Sequence, residues 1–223
     1  MFKLTACQED GRTTLPWIVI TDRHCAEQPL ALQIAELCKV YTPQAIIVRE
    51  KDVTGQVYEK IWQSISSVAN KKKISVLMHN HPDLAIKNDA VGVHMPLMPW
   101  LRWRKNAPSE AHWLCSRPND NGFGGVGVSV HSVEEAMIAE ASGANYIIAS
   151  PVFPTTCKPD AQPLGLEGLA AICHTVGCPV YALGGLRLND IRQGMLIQAG
   201  VAGYCVRSAA MNFSVNSVKP RLT

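Results

Sequence analysis

Eight short runs of β-branched and other apolar residues recur along the chain: 17–21 (WIVIT), 45–49 (AIIVR), 74–78 (ISVLM), 90–95 (AVGVHM), 125–130 (GVGVSV), 145–150 (NYIIAS), 179–183 (PVYAL) and 203–207 (GYCVR). They are close to continuous rather than alternating. That pattern suits parallel strands covered on both faces, because a strand with one wet face alternates polar and apolar residues. Parallel strands need crossover connections, and helical periodicity fills most of the intervals. Eight such units close most simply into a (β/α)8 TIM barrel. The 223 residues fit one barrel domain over 1–223 better than two domains.

Between the first two runs, Ala31-Leu32, Ile34-Ala35 and Leu37-Cys38 keep helical spacing until Pro43. Thr54 is an expected N-cap for a helix carrying Val57, Ile61, Ile65 and Val68. Ser132 is another, followed by Glu134 and Glu135 where the helix dipole favours acid, and a helix is expected over 133–141. Further helices are expected over 166–176 and 189–198, with Gly177 and Gly200 just past their ends. In 96–124, Pro96, Pro99, Pro108 and Pro118 interrupt the pattern, so irregular structure is expected there. That segment is a candidate lid or homodimer contact. The tail after Met211 is polar and weakly periodic, which argues against a full last helix.

The composition, 47% hydrophobic and 17% charged, is that of a soluble globular protein. No apolar stretch approaches the roughly 18 residues of a membrane span. The first residues, MFKLTACQEDGR, reach acid too early for a secretory leader, so a cytoplasmic protein with no membrane partner is expected. A net charge of +3 is too slight to argue for nucleic acid. The basic, aromatic stretch Trp100-Leu-Arg-Trp-Arg-Lys105 is expected to be a loop or irregular helix. Eight cysteines contain no CxxC, and the closest pair is Cys173 and Cys178, a spacing that excludes zinc ribbons and redox pairs. Most are expected to be small buried hydrophobes.

Barrel enzymes build their sites from the loops that follow the strands. Those positions here are rich in polar groups: Thr21 to His24, Arg49-Glu50-Lys51, His79-Asn80-His81, His94, Ser129 and His131, Ser150 to Lys158, Gly184-Gly185, and Arg207-Ser208. Tight glycine turns expose backbone N–H groups to an anion, and Arg207 adds a charge that forks onto phosphate oxygens. Gly184, Gly185, Arg207 and Ser208 are therefore the expected phosphate site. Arg49, Lys51 and Lys158 add cations, unless Glu50 or Asp52 neutralises the first two. His79, His81, His94 and His131 are too many to be structural alone, yet only Asp83 and Asp89 stand near enough in sequence to complete a metal site. No metal is expected.

The segments ITDRH (20–24), REKD (49–52), GVHM (92–95), GVSVHSVEEA (127–136), GANYIIASPVFPTTCKPD (143–160), LGLEGL (164–169) and ALGGL (182–186) resemble, in order, the thiamine phosphate synthase and TenI family of phosphate-binding barrels. In the synthase branch a thiazole phosphate displaces pyrophosphate from an aminopyrimidine diphosphate with the help of Mg²⁺. The resemblance implies that Arg49, Lys51, Ser129 and Lys158 match its pyrimidine and diphosphate contacts. Thr155 and Thr156 match part of its thiazole phosphate contact, and Gly185 and Ser208 its phosphate loops.

The departures from that pattern are specific. Ile47 stands for a glutamine, His79-Asn80 for Asn-Asp, Cys157 for the last threonine of its loop, and Pro99 for an acid after the fourth strand. Asn80 and Pro99 thus occupy the positions of the two Mg²⁺-binding aspartates, and neither offers the anionic oxygen this cation prefers. The TenI branch resembles the same barrel without those acids. Its activity is aromatising tautomerisation of a thiazole carboxylate phosphate, and its catalytic histidine matches His131. The expectation is therefore an enzyme of thiamine metabolism that binds a small phosphorylated heterocycle, a thiazole phosphate tautomerase without cofactor. Substrate contacts are expected from Arg49, Lys51, His79, Asn80, Ser129, Thr155, Thr156, Cys157 and Lys158. The alternatives are a divergent synthase, which would need Mg²⁺, and a non-catalytic phosphate-binding barrel.

Overall fold

Each of the eight apolar runs forms a strand. The computed structural model describes residues 7–9, 12–117, 123–155 and 160–215. A short antiparallel pair comes first, β1 (Cys7–Glu9) with β2 (Arg12–Thr14). The barrel follows as β3 (Trp17–Ile20), β4 (Ala45–Val48), β5 (Ser75–His79), β6 (Gly92–Pro96), β7 (Gly125–Val130), β8 (Tyr146–Ala149), β9 (Val180–Leu183) and β10 (Gly203–Val206). Neighbours in sequence pair in parallel, and β10 closes on β3 through Tyr204 opposite Trp17. Every residue of β4, β5, β8 and β10 is buried, which is why those runs read as continuous rather than alternating.

Alternate side chains divide two cores. Ile18, Ile20 and Ile47 point into the barrel, whereas Val19, Ile46 and Val48 pack outward against the helices. Phe123, Tyr146 and Tyr181 fill much of the inner space, with Tyr146 4.5 Å from Phe123 and 5.9 Å from Tyr181 between ring centres. Such bulk requires a missing side chain opposite. A Cβ on Gly127 would lie 2.0 Å from the Tyr146 ring, so that glycine is the space the tyrosine occupies.

The connections are α1 (Leu30–Leu37), α2 (Gly55–Ala69) with a 3₁₀ turn at Asn70–Lys72, α3 (Pro82–Lys87), α4 (Leu97–Asn106), α5 (Pro108–Cys115), α6 (Val133–Ala141), α7 (Gly165–Thr175), α8 (Gln193–Gln198) and α9 (Ser208–Met211). Thr54 is the N-cap of α2 by position and extended backbone, without a side-chain cap bond. Ser132 caps α6 through its Oγ, which accepts from the Glu135 N–H at 3.2 Å. Among the described residues the last helix is a single turn, and the tail beyond residue 215 lies outside them.

The expectation of irregular structure over 96–124 is corrected by α4 and α5. Their prolines mark helix starts rather than breaks. Pro96 is the N-cap of α4, Pro99 lies in its first turn and Pro108 opens α5, all places where a backbone N–H has no intrahelical acceptor to lose. Pro118 lies outside the described residues. The basic, aromatic stretch is likewise helical. Trp100 is fully buried and donates to Ser142 Oγ at 2.8 Å, with Trp103 stacked 6.0 Å away. The stretch is thus a packing face of α4, with Arg104 over Trp100. α8 starts later than expected because Asp190 accepts the Arg187 and Arg192 N–H groups, holding the preceding residues in a turn.

Cys38 and Cys205 are buried, while Cys25, Cys115, Cys173 and Cys178 are half-buried against the main core. Among the described residues no helix is long and apolar enough to cross a membrane.

Candidate functional site

Parallel pairing brings the ends of all eight strands to one face. Arg49 and Lys51 follow β4, His79 ends β5, Asn80 follows it, Ser129 lies within β7, His131 follows β7, Thr155 lies beyond β8, Gly184 and Gly185 follow β9, and Arg207 and Ser208 follow β10. Thr156, Cys157 and Lys158 of the expected site lie outside the described residues. His94 is not a loop residue as expected but lies inside β6, 2% exposed. Ser129 is likewise a strand residue.

The floor of this face is a set of buried rings. His94 Nε2 lies 2.7 Å from Ser129 Oγ, and its Nδ1 lies 3.3 Å from the Tyr146 hydroxyl. His79 stacks beside it, 6.1 Å between ring centres. Burial holds the His94 imidazole down to about 3, with the Arg49 charge acting in the same direction. His79 is also lowered well below the usual histidine range, by burial first and then by His94, Arg49 and Lys51. Both rings are therefore neutral at physiological pH, and Arg49 and Lys51 lie close enough for their charges to be felt. Tyr58 fixes His79 from behind: its hydroxyl donates to the Val48 carbonyl at 2.6 Å and accepts from the His79 N–H at 2.7 Å.

The acids beside Arg49 and Lys51 have partners on the loop that follows the neighbouring strand β3. Glu50, 3% exposed, accepts from Thr21 Oγ1 at 2.7 Å and from the Arg23 backbone and guanidinium. Asp52 takes both Arg23 Nη atoms at 2.6 Å and His24 Nε2 at 2.9 Å. Arg23 thus pairs with both acids that flank Lys51. Nothing in residue order distinguished these cations.

The rim holds His131, which is exposed. Its N–H donates to Glu135 Oε2 at 2.7 Å, and its ring Nδ1 bonds the Ser150 carbonyl on the loop after β8. A carbonyl only accepts, so Nδ1 carries a proton and Nε2 is the nitrogen turned away from that bond. Glu135 and Ser150 are positioning partners that reading along the sequence missed. The Ser-x-x-Glu spacing of 132–135 was the available signal, since a glutamate there turns back over the helix start.

Around from His131, the turns after β8 and β9 lock together. The Val152 N–H donates to the Leu183 carbonyl at 2.9 Å and the Phe153 N–H to the Gly184 carbonyl at 3.2 Å. Gly184 and Gly185 have φ of 112° and 67°, and a Cβ on Gly184 would lie 2.9 Å from Pro151. Only glycine fits this approach. Register sets Cys205 opposite Leu183, so the segment with Arg207 and Ser208 leaves β10 next to the strand that leads into the two glycines. Arg207 Nη1 is 3.8 Å from Asp22, a loose pair across the β10 to β3 closure.

The two positions matching the Mg²⁺ acids do not suit a hard cation. The Asn80 backbone is left-handed at φ 59°, its N–H donating to the His94 carbonyl at 2.9 Å, and Pro99 is a helix residue without a side-chain oxygen. Asp83 accepts from Trp103 Nε1 at 3.1 Å, and Asp89 pairs with Arg117 at 2.6 Å. Among the described residues no group of three or more His, Cys, Asp or Glu is placed to hold a metal.

Comparison with known proteins is consistent along the chain. The sequence model of the family described as thiamine monophosphate synthase matches residues 17–210. A thiamine-phosphate synthase of Pyrococcus furiosus is 33% identical over 203 residues, 90% of this chain and 88% of that protein. A protein named putative thiamine-phosphate synthase 2, from Aquifex aeolicus, is 36% identical over 145 residues, 65% of this chain and 72% of its own. The solved thiamine phosphate pyrophosphorylase from Pyrococcus furiosus superposes with a TM-score of 0.70 at 30% identity, covering 89% of this chain and 88% of that one. An N-acetylmannosamine-6-phosphate 2-epimerase from Clostridium perfringens, at 14% identity and TM-score 0.61, shares the fold alone. With the family pattern running from the first barrel strand to the last helix, the chain belongs to the thiamine monophosphate synthase family.

Proposed function

We propose that this barrel binds a thiazole phosphate and moves a proton on it, as a tautomerase that needs no metal. The observation that carries the reading is His131: a rim histidine whose Nδ1 is committed to the Ser150 carbonyl, leaving Nε2 as a base, in a site where Asn80 and Pro99 replace the family's metal acids. The phosphate is the handle, gripped by the Gly184-Gly185 turn with Arg207 and Ser208. Held there, the ring lies against His131, and positioning converts proton transfer into an intramolecular step. Nε2 takes a proton from one position of the dihydrothiazole while the electron pair shifts to make the ring aromatic. The same nitrogen returns the proton at the exocyclic carbon, so the substrate keeps all its atoms. A histidine suits both directions because its ordinary pKa lies near neutrality.

The test is interconversion of the carboxythiazole phosphate isomers by purified protein with chelator present. Acceleration over buffer is expected, and an unchanged isomer ratio would sink the reading. A second reading, a divergent thiamine phosphate synthase, is favoured by the relatives, which carry that name. It requires Mg²⁺-dependent pyrophosphate release from the two half-substrates. Tight binding of thiazole phosphate without turnover in either assay would leave a binding barrel.

A further inference from the structure

We propose that Tyr146 and His94 are positioning residues that fix the direction of the Ser129 hydroxyl, so that Ser129 donates its proton into the site and selects a ligand atom that accepts a hydrogen bond. The argument is one of donors and acceptors. Among the described residues the Tyr146 hydroxyl has one hydrogen-bond partner, His94 Nδ1 at 3.3 Å. Tyr146 is 3% exposed, packed among Phe123, Tyr181 and the space above Gly127. A buried hydroxyl proton needs an acceptor, so Tyr146 donates and Nδ1 accepts. A neutral imidazole has one N–H, which must then sit on Nε2 and point at Ser129 Oγ, 2.7 Å away. Ser129 Oγ therefore accepts from inside the barrel, and its own proton turns toward the half-exposed side, where β7 runs on to His131.

The reverse chain fails at its inner end. If Ser129 donated to His94, the Nδ1–H would donate to Tyr146 and strand the tyrosine proton in an apolar core. Two environmental shifts support the first arrangement: burial keeps His94 uncharged down to about 3, and burial raises the Tyr146 phenol well above its ordinary value. The buried relay thus holds one polarity over the whole physiological range. A serine that donated to His94 would have no proton left for a ligand; this one accepts from His94 and keeps its proton for the site. The ligand atom served by that proton is an acceptor, such as a carboxylate oxygen or an unprotonated ring nitrogen. The ligand side of this inference rests on the reading of a thiazole carboxylate phosphate over Ser129.

The experiment has two arms. In the first, the full chain with ¹⁵N-labelled histidine is examined by long-range proton–nitrogen correlation at neutral pH, with His94→Gln used to assign the ring. The Nε2–H tautomer is expected, and the Nδ1–H tautomer overturns the relay. In the second, binding of carboxythiazole phosphate is measured calorimetrically for wild type, Tyr146→Phe, Ser129→Ala and the double variant. Tyr146→Phe is expected to weaken binding about three- to tenfold when Ser129 is present and not when it is alanine. Equal weakening in both backgrounds would mark Tyr146 as merely structural and overturn the proposal. If wild type does not bind this probe, the functional reading fails, and the tautomer alone decides the relay.

Discussion

Floor and rim of the barrel mouth hold the same residue type under opposite conditions. His94 and His79 lie in β6 and β5 among rings and strand backbone, 2% and 8% exposed, and burial keeps them neutral. His131 stands exposed at the start of α6, tethered at one nitrogen by a carbonyl and open at the other. A histidine locked neutral in the wall orients its neighbours but exchanges protons poorly near neutral pH. One on the rim has the access a proton carrier needs. Position relative to the strand end, rather than residue type, divides the buried rings from the exposed one.

The largest expected effect breaks this division if it is wrong. His131→Ala is expected to lower the isomerisation rate about 10² to 10⁴-fold, the usual worth of a general base, while calorimetric affinity for thiazole phosphate changes little. A rate within threefold or so of wild type would place the chemistry elsewhere.

The floor histidines should dominate stability in mild acid. Their folded-state pKa values are depressed, so below pH 6.5, and for His94 down to about 3, the unfolded chain binds more protons than the native one. Their contribution is complete above 6.5 and is lost as pH falls, at up to ~1.4 kcal/mol per pH unit for each fully shifted group. Thermal midpoints across that range should fall in wild type and fall less steeply in His94→Gln. Superimposable slopes would show that the floor admits water and charge.

Tyr58→Phe probes the same wall from its outer side. It removes the hydroxyl that joins Val48 to His79 and leaves a buried N–H and a buried carbonyl without that partner. A loss of about 1–3 kcal/mol is expected from urea denaturation. A neutral result would mean that water replaces the strut.

The barrel was legible in the sequence because burial on both faces writes strands as unbroken apolar runs, and the eight runs led straight to the eight strands. The prolines of 96–108 were misleading, since the same residue breaks a helix inside and opens one at its start. Residues at the mouth were found by counting from strand ends, which placed His131, Gly184 and Arg207 correctly on one face. What stayed hidden depends on distances between strands: Arg23 taking Glu50 and Asp52, Ser150 offering a carbonyl to His131, and Tyr146 reaching His94 across the one strand between them. The antiparallel β1–β2 pair was overlooked as well, because its two runs of three residues are too short and too polar to stand out as strands.

The smallest expected effect belongs to the rim. Asp52 is held down to about 2, mainly by its hydrogen bonds from Arg23 and His24, so its contribution is complete above its ordinary value of 3.8 and fades as pH falls toward 2. All three side chains reach solvent, and exposed pairs contribute little and are screened by salt. Asp52→Asn should therefore lower the thermal midpoint slightly at neutral pH, and the gap to wild type should close on acidification below 3.8. In about 1 M salt, where the screening length is ~3 Å, the same gap should shrink, whereas the slope set by His94 should persist because burial, not a distant charge, is its main cause. A salt-insensitive Asp52, or one whose loss costs more than that of the Tyr58 hydroxyl, would reverse the order of floor and rim.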